Sequence, residues 1–258
     1  MEEIAYAKIN LALRVRGRRD DGYHHIETLF AFAEDGDRLS VARGQGLSLR
    51  VTGPFAAALG EAEDNLVLRA AHMLGGATGA ALTLDKRLPV AAGIGGGSAD
   101  AAAALRLLTR WWRLDLREDE LLKVAGRLGA DVPACLRSRT VRGTGRGDAL
   151  IGVRQEFAGT PVLLVNPGIA VSTAEAFRRW KGVPAHGNDL EPPAREIAPV
   201  IGEVIDLLLC QAGVRLARMS GSGATCFALF ATDAWRDAAE AAIAEARPGW
   251  WQLASRLR

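Results

Sequence analysis

The stretch with the clearest chemical capacity is Pro89-Val90-Ala91-Ala92-Gly93-Ile94-Gly95-Gly96-Gly97-Ser98, followed by Ala99-Asp100 and a run of alanines. Three consecutive glycines carry no Cβ, so backbone can close on an anion there, and the free N–H groups opening a following helix can hold phosphate oxygens. Two common phosphate loops do not fit. No Lys-Ser or Lys-Thr pair follows the glycines, and Ser98 stands where a dinucleotide fingerprint has its last glycine or alanine. A glycine turn without a ligand is the plain alternative. Lys8 is a second candidate: it is one of only four lysines, and alternation puts it on one strand face with Asn10 in an otherwise apolar segment. The alternative is an exposed strand lysine. Asp131, in Gly129-Ala130-Asp131-Val132-Pro133, is a third, and a helix N-cap is its alternative role.

Other chemistries find little support. Among four histidines only His24 and His25 are close together, which offers no zinc-ligand spacing, so no structural metal is expected. Cys135, Cys210 and Cys226 are odd in number and far apart, which suits reduced core thiols acting as apolar filler.

These residues need elements to position them. Ile4 to Arg16 alternates: Tyr6, Lys8, Asn10 and Ala12 share one face, and Ala5, Ala7, Ile9, Leu11 and Leu13 the other, as in a half-buried strand. Arg18 to Gly22 has turn chemistry, and Ile26 to Phe32 resumes a β-rich run, so an antiparallel hairpin opens the fold. Asp37–Val41, Leu47–Val51 and Ala81–Lys86 read as strands, and Asn65–Leu74 as a helix. Ala101, Ala104, Leu105 and Leu108 recur at helical spacing, so a helix begins near Ser98 and the glycine loop ends at its N-terminus. A helix over Glu118–Leu128 precedes the Gly129–Pro133 break, with strand-like sequence beyond Arg139. The remainder predicts a strand at Val162–Val165, a helix at Ala174–Trp180, a polar connection from His186 to Pro193, a helix over Ile197–Ala212, strands at Val214–Arg218 and Thr225–Phe230, and a helix over Trp235–Ala246. The first lobe closes near residue 152, giving lobes 1–152 and 153–258.

Three motifs in order resemble those of the GHMP kinases: Ala7-Lys8-Ile9-Asn10-Leu11, Pro89 through Ala102, and Met219-Ser220-Gly221-Ser222-Gly223-Ala224-Thr225-Cys226-Phe227. Gly17-Arg18-Arg19-Asp20-Asp21-Gly22-Tyr23-His24 and Gly129-Ala130-Asp131-Val132-Pro133 resemble the diphosphocytidyl-methylerythritol kinases within that superfamily. The resemblance implies an α+β, two-lobed fold, with a ribosomal protein S5 domain 2-like N-terminal lobe and a ferredoxin-like C-terminal lobe. It implies an ATP-dependent, Mg²⁺-using kinase acting on the 2-hydroxyl of 4-diphosphocytidyl-2-C-methyl-D-erythritol in non-mevalonate isoprenoid synthesis. ATP would lie along Pro89, Val90, Ala91, Ala92, Gly93, Ile94, Gly95, Gly96, Gly97, Ser98 and Ala99. Asp131 would be the catalytic base, with Lys8 beside it keeping it ionised and neutralising charge on the phosphoryl group in flight. Asn10, Tyr23, His24, Thr173 and Phe177 would select the substrate: Tyr23 and Phe177 by aromatic faces, His24 by hydrogen bonding the cytosine edge. Gly221-Ser222-Gly223 would turn against the phosphates.

Two positions depart from the pattern. Tyr6 stands where many relatives have proline, and Ala99 where many have a second serine, so Mg²⁺ or phosphate must rely on Ser98, backbone amides or water. Another GHMP kinase, such as a homoserine or mevalonate kinase, is the alternative function. A nucleotide-dependent oxidoreductase and an RNA-binding protein are more distant ones.

Composition agrees with a small-molecule enzyme. With 49% apolar and 24% charged residues, 258 residues can bury a substantial core. Lysine and arginine total 32 against 30 acidic residues, so no basic field points to nucleic acid or an anionic membrane. The acidic start, MEEIAYAKINLALRV, lacks a signal peptide's basic region, and no uncharged apolar run reaches the roughly 18 residues that span a bilayer. A cytoplasmic protein is expected, and no motif sets its oligomeric state.

Overall fold

The alternation read from Ile4 onward belongs to a 17-residue strand, β1 (Glu2–Arg18), followed by the 20-residue β2 (His24–Arg43). A computed structural model describes residues 1–20, 22–59, 65–75 and 79–258, so Asp21 of the intervening turn lies outside the described residues. β1 keeps that alternation along most of its length, with Ala5, Ala7, Ile9, Leu11 and Leu13 buried, but Lys8 and Asn10 on the other face are covered too, each 3% exposed. β2 joins two runs that read as separate strands. Gly36 marks a close approach to β1, since a Cβ there would meet the Ala5 carbonyl carbon at 2.7 Å and Tyr6 Cα at 2.9 Å.

The other elements are β3 (Leu47–Thr52), α1 (Leu66–Met73), β4 (Ala80–Asp85), α2 (Gly96–Trp111), α3 (Glu118–Leu128), α4 (Val132–Arg137), β5 (Val141–Gly145), β6 (Ala149–Gly152) and β7 (Pro161–Asn166). They continue with α5 (Thr173–Arg179), α6 (Glu191–Ile197), α7 (Val200–Leu209), β8 (Val214–Met219), β9 (Cys226–Phe230), α8 (Asp233–Ala246) and β10 (Trp251–Arg256). Two compact units arise, neither consecutive in sequence: residues 1–7, 35–90 and 95–138 form one, and 8–34, 91–94 and 139–258 the other.

In the first unit, β3 pairs in parallel with β4, and β4 antiparallel with the Arg38–Arg43 half of β2. α2 is buried from Ala99 through Leu105, where four successive alanines from Ala101 to Ala104 let α1 and α4 pack closely. Asn65 caps α1 by accepting a hydrogen bond from Val67 N–H at 2.9 Å. α3 has the predicted bounds: Glu120 reaches back to Arg117 N–H at 2.9 Å, three acidic residues fill the first turn and Gly129 follows the last. The expected break at Gly129–Pro133 instead starts a helix, α4, because Pro133 falls in its first turn, where a missing N–H costs nothing.

In the second unit, Ile26–Phe30 of β2 pairs antiparallel with β5, and β5 with β6. A separate antiparallel sheet has the order β10-β7-β9-β8, which with helices before β8 and after β9 is the ferredoxin-like arrangement. Every residue of the central β7 is buried, which accounts for its unbroken apolar run. The core gathers Leu163 and Val165 of β7, Ile201, Val204 and Leu208 of α7, Phe230 and Ile243. The helix expected over Ile197–Ala212 is α7, which starts at Val200 because Pro199 takes its N-cap, and α6 is a further helix that begins within the expected polar connection. β10 was not expected: four of its six residues are half-buried, which blurs the alternation. None of the three cysteines is in a disulfide; Cys135 and Cys226 are buried as read, but Cys210 is exposed.

Candidate active site

Lys8 is a buried ammonium built into the second unit. Its Nζ donates to Asn10 Oδ1 at 2.9 Å and lies 5.4 Å from the centre of the Phe30 ring, while its backbone N–H donates to the Ile94 carbonyl at 3.1 Å. Asn10 is held from other sides. Its Nδ2 donates to Thr28 Oγ1 at 2.7 Å, Thr28 passes its own proton to the Ala12 carbonyl at 2.7 Å, and Asn10 N–H donates to Ser220 Oγ at 3.2 Å. Ser220 Oγ in turn donates to the Gly93 carbonyl at 3.0 Å, so one hydroxyl joins segments from all three sequence motifs.

The two glycine segments pack backbone to backbone. Gly93 has φ +76°, and a Cβ there would lie 2.6 Å from the Ser220 carbonyl and 2.7 Å from that of Gly223, which leaves room only for glycine. The Gly221 turn is pinned from beneath by Asn188, fully buried, whose Nδ2 donates to the carbonyls of Met219 and Gly221 at 2.9 and 2.8 Å.

A group of rings forms at the start of β2 and in α5. The His24 imidazole stacks on Phe177 at 4.6 Å with planes 20° apart and meets the Trp180 edge at 6.3 Å. Burial, and then the Arg18 charge, push the His24 pKa below the ordinary histidine value, so the ring is neutral at pH 7 with one donor and one acceptor nitrogen. Tyr23 is 55% exposed, with the Arg146 guanidinium 5.4 Å from its ring centre. Thr173 Oγ1 and Ser222 Oγ are 2.8 Å apart, which links α5 to the third motif.

In the first unit, Gly95 adopts a left-handed conformation, φ +64°, as the N-cap of α2, and the Ala99 N–H donates to its carbonyl at 2.8 Å. Gly96, Gly97 and Ser98 form the first turn of α2, where N–H groups have no partner within the helix. Ala91 and Gly97 are exposed, Gly93, Gly95, Gly96, Ser98 and Val90 half-buried, and Pro89, Ala92, Ile94 and Ala99 buried. Asp131 is the N-cap residue of α4, but its side chain makes no capping hydrogen bond to that helix.

The structure thus gathers Lys8, Asn10, Gly93 and Ile94 in one cluster, His24 and Phe177 in a second, and Thr173 with Ser222 in a third, while Asp131 stands on α4. Sequence reading did not single out Thr28, Trp180, Arg146, Asn188, Asp37, Lys86 or Asp100. Lys86 carries the signal that marked Lys8, being another of the four lysines. Among the described residues, no three His, Cys, Asp or Glu side chains come together as a metal-binding set.

Comparison with known proteins converges on one enzyme class. Residues 65–139 match the GHMP kinases N terminal domain, and residues 168–249 the GHMP kinases C terminal domain. The chain is 56% identical to a 4-diphosphocytidyl-2-C-methyl-D-erythritol kinase of Rhizorhabdus wittichii over 99% of its own length and 94% of the relative's. It is 48% identical to the enzyme of that name from Novosphingobium aromaticivorans, over 100% and 93%. A crystal structure of 4-(cytidine 5'-diphospho)-2C-methyl-D-erythritol kinase superposes with a TM-score of 0.84 at 33% identity, covering 100% of this chain and 99% of that one. A homoserine kinase from Cytophaga hutchinsonii shares the fold at a TM-score of 0.71 and 20% identity, covering 98% and 95%.

Proposed function

Because the chain belongs to the 4-diphosphocytidyl-2-C-methyl-D-erythritol kinase family of the GHMP kinases, we propose that it transfers the γ-phosphoryl group of ATP to the 2-hydroxyl of that cytidylated polyol, releasing ADP, in non-mevalonate isoprenoid synthesis. The observation that carries the reading is 56% identity along 99% of the chain. Homoserine and mevalonate kinases share the fold at 20% and 16% identity, which speaks to architecture and not to acceptor.

In this reading the α2 N-terminus and residues 93–98 receive the phosphates, since several backbone N–H groups point out of one turn and the helix dipole favours negative charge there. Asp131 accepts the acceptor hydroxyl's proton. Lys8 stabilises the charge that develops on the transferred group, and its fixed link to Asn10 supports that role, because preorganised charge costs no reorientation during reaction. The stacked His24 and Phe177 rings offer a surface and a neutral hydrogen-bonding edge suited to cytosine, with Tyr23, Thr173 and Asn10 completing acceptor selection. Mg²⁺ neutralises phosphate charge when bound with ATP. Ser98, the one hydroxyl in the 89–99 loop, is the side chain there that would help hold it.

No helix among the described residues is long and apolar enough to cross a membrane, and we place the enzyme in the cytoplasm with its small-molecule substrates. The test is ADP release with MgATP across an acceptor panel: the cytidylated polyol, the polyol without its cytidyl group, mevalonate and homoserine. Turnover with the first alone is the expected result; turnover with another acceptor instead would overturn the substrate assignment.

A further inference from the structure

We propose that Lys86 is a positioning residue for the glycine-rich loop, its buried ammonium tying the chain that enters the loop to the helix that leaves it and so setting the loop for the phosphates of ATP. The proposal rests on the nucleotide-binding reading of residues 93–98. Lys86 directly follows β4 and is 1% exposed, and Asp37 and Asp100 around it are 0% and 3% exposed. Its Nζ donates to Asp37 Oδ2 at 2.5 Å and to Asp100 Oδ2 at 2.7 Å. The other Asp37 oxygen accepts the N–H groups of Arg87 and Leu88 at 2.5 and 2.8 Å, so Asp37 holds residues 86 to 88, immediately before Pro89. Asp100 lies in α2, just past the loop. A Cβ on Gly96, the first residue of α2, would stand 3.0 Å from Lys86 Nζ, so the loop's exit rests on the ammonium itself. Entry and exit of the loop are therefore fastened to one cation.

Stability alone does not account for this arrangement. Two carboxylates share one ammonium in a dry interior, and Asp100 Oδ1 has no hydrogen-bond partner. Apolar residues of similar volume often stabilise a core at least as well as a buried ion pair. What the ions add is direction. At Gly96 a side chain would crowd the ammonium, which would have to shift by a few tenths of an ångström to admit a Cβ.

The experiment compares wild type, Asp100→Asn, Lys86→Met and Lys86→Arg, with KM for MgATP and KM for the cytidylated acceptor measured separately, and folding followed by circular dichroism. For folded Asp100→Asn and Lys86→Met, KM for ATP is to rise about tenfold or more while KM for the acceptor stays within about twofold, and Lys86→Arg is to recover part of the loss. An unchanged KM for ATP in folded Asp100→Asn, or equal rises in both constants, would overturn the proposal. If Lys86→Met does not fold, the isosteric Asp100→Asn decides. Amide hydrogen exchange of the 89–98 segment provides a reading without turnover: it is to quicken in Asp100→Asn while β7 stays protected, and unchanged exchange rejects the role. Should wild type itself turn over no acceptor, the kinase reading fails, and the exchange data still decide whether the network sets the loop.

Discussion

Lys8 Nζ and Asn10 Oδ1 lie 2.9 Å apart, two residues along one face of β1, and the amide that holds the cation is itself held by Thr28, while Ser220 holds the Asn10 backbone N–H. An amide turned over would present N–H to the ammonium, so Thr28 sets which way Asn10 faces.

Replacing Thr28 by valine keeps the shape and removes the hydroxyl that receives Asn10 Nδ2. A buried donor left unsatisfied costs about 1–3 kcal/mol. In a protein of this size each kcal/mol moves Tm by about 2–4 °C, so Tm is to fall by a few degrees, with kcat reduced as Lys8 loses its fixed partner. Thermal denaturation with steady-state kinetics checks both, and a full Tm with full kcat would remove Thr28 from the account.

Asp131→Asn is to lower kcat by about 10²–10⁴ while ATP affinity is kept, as expected on removing a general base. Thermal denaturation is measured beside the kinetics, so that a structural role is read separately from a chemical one. A drop of about 1 kcal/mol in stability with kcat retained is the opposite pattern, and it would assign Asp131 to capping.

The His24 pKa is lowered by burial and by Arg18, so the ring stays neutral somewhat below the usual titration range. KM for the cytidylated acceptor is therefore to stay flat from about pH 8 to 6.5 and to rise only in more acid solution, where the imidazole gains a proton and loses its acceptor nitrogen. The same protonation favours the unfolded chain. The stability His24 contributes is present above about pH 6.5 and is lost as pH falls through the folded value. His24→Gln should abolish both trends; kinetics and melting curves across pH report them.

Burial drives the Asp100 pKa up to about 7, with the Asp37 charge adding to the rise and Lys86 opposing it. These two are the charged groups in the network that faces it. A carboxyl raised in the folded state stabilises most while protonated in both states, below about pH 4, and that contribution is lost as pH rises to about 7. The stability of wild type minus that of Asp100→Asn is thus to decrease between pH 4 and 8. Denaturant titrations at several pH values measure it, and a difference that grows instead would mean Asp100 is ionised throughout.

What sequence could and could not disclose follows from the range of the interactions. β1 and α3 were readable because alternation, an acidic first turn and a terminal glycine are local signals. The continuity of β2 through Gly36 was not, because the glycine answers to Ala5 and Tyr6 across the sheet. The start of α4 at Asp131 looked like a break, since Gly and Pro punctuate loops as readily as they open helices. The glycine loop could be recognised from its composition, but the Lys86 network beneath it joins residues 37, 86 and 100, which no periodicity connects. Asn188 lay in a segment read only as a polar connection, and its role appears once its carbonyl partners at 219 and 221 are in place.

The Ser220 hydroxyl that receives Asn10 N–H across a separation of 210 residues sets a timetable for biosynthesis. At about 5–20 residues per second, β1 leaves the ribosome roughly 10–40 s before that partner exists. Leu13 waits similarly, since its N–H pairs with the carbonyl of Gly187. For that interval the first strand translated can pair with β2, made directly after it, while its bonds to Gly187 and Ser220 must wait, so the completion of its surroundings is a late event of synthesis.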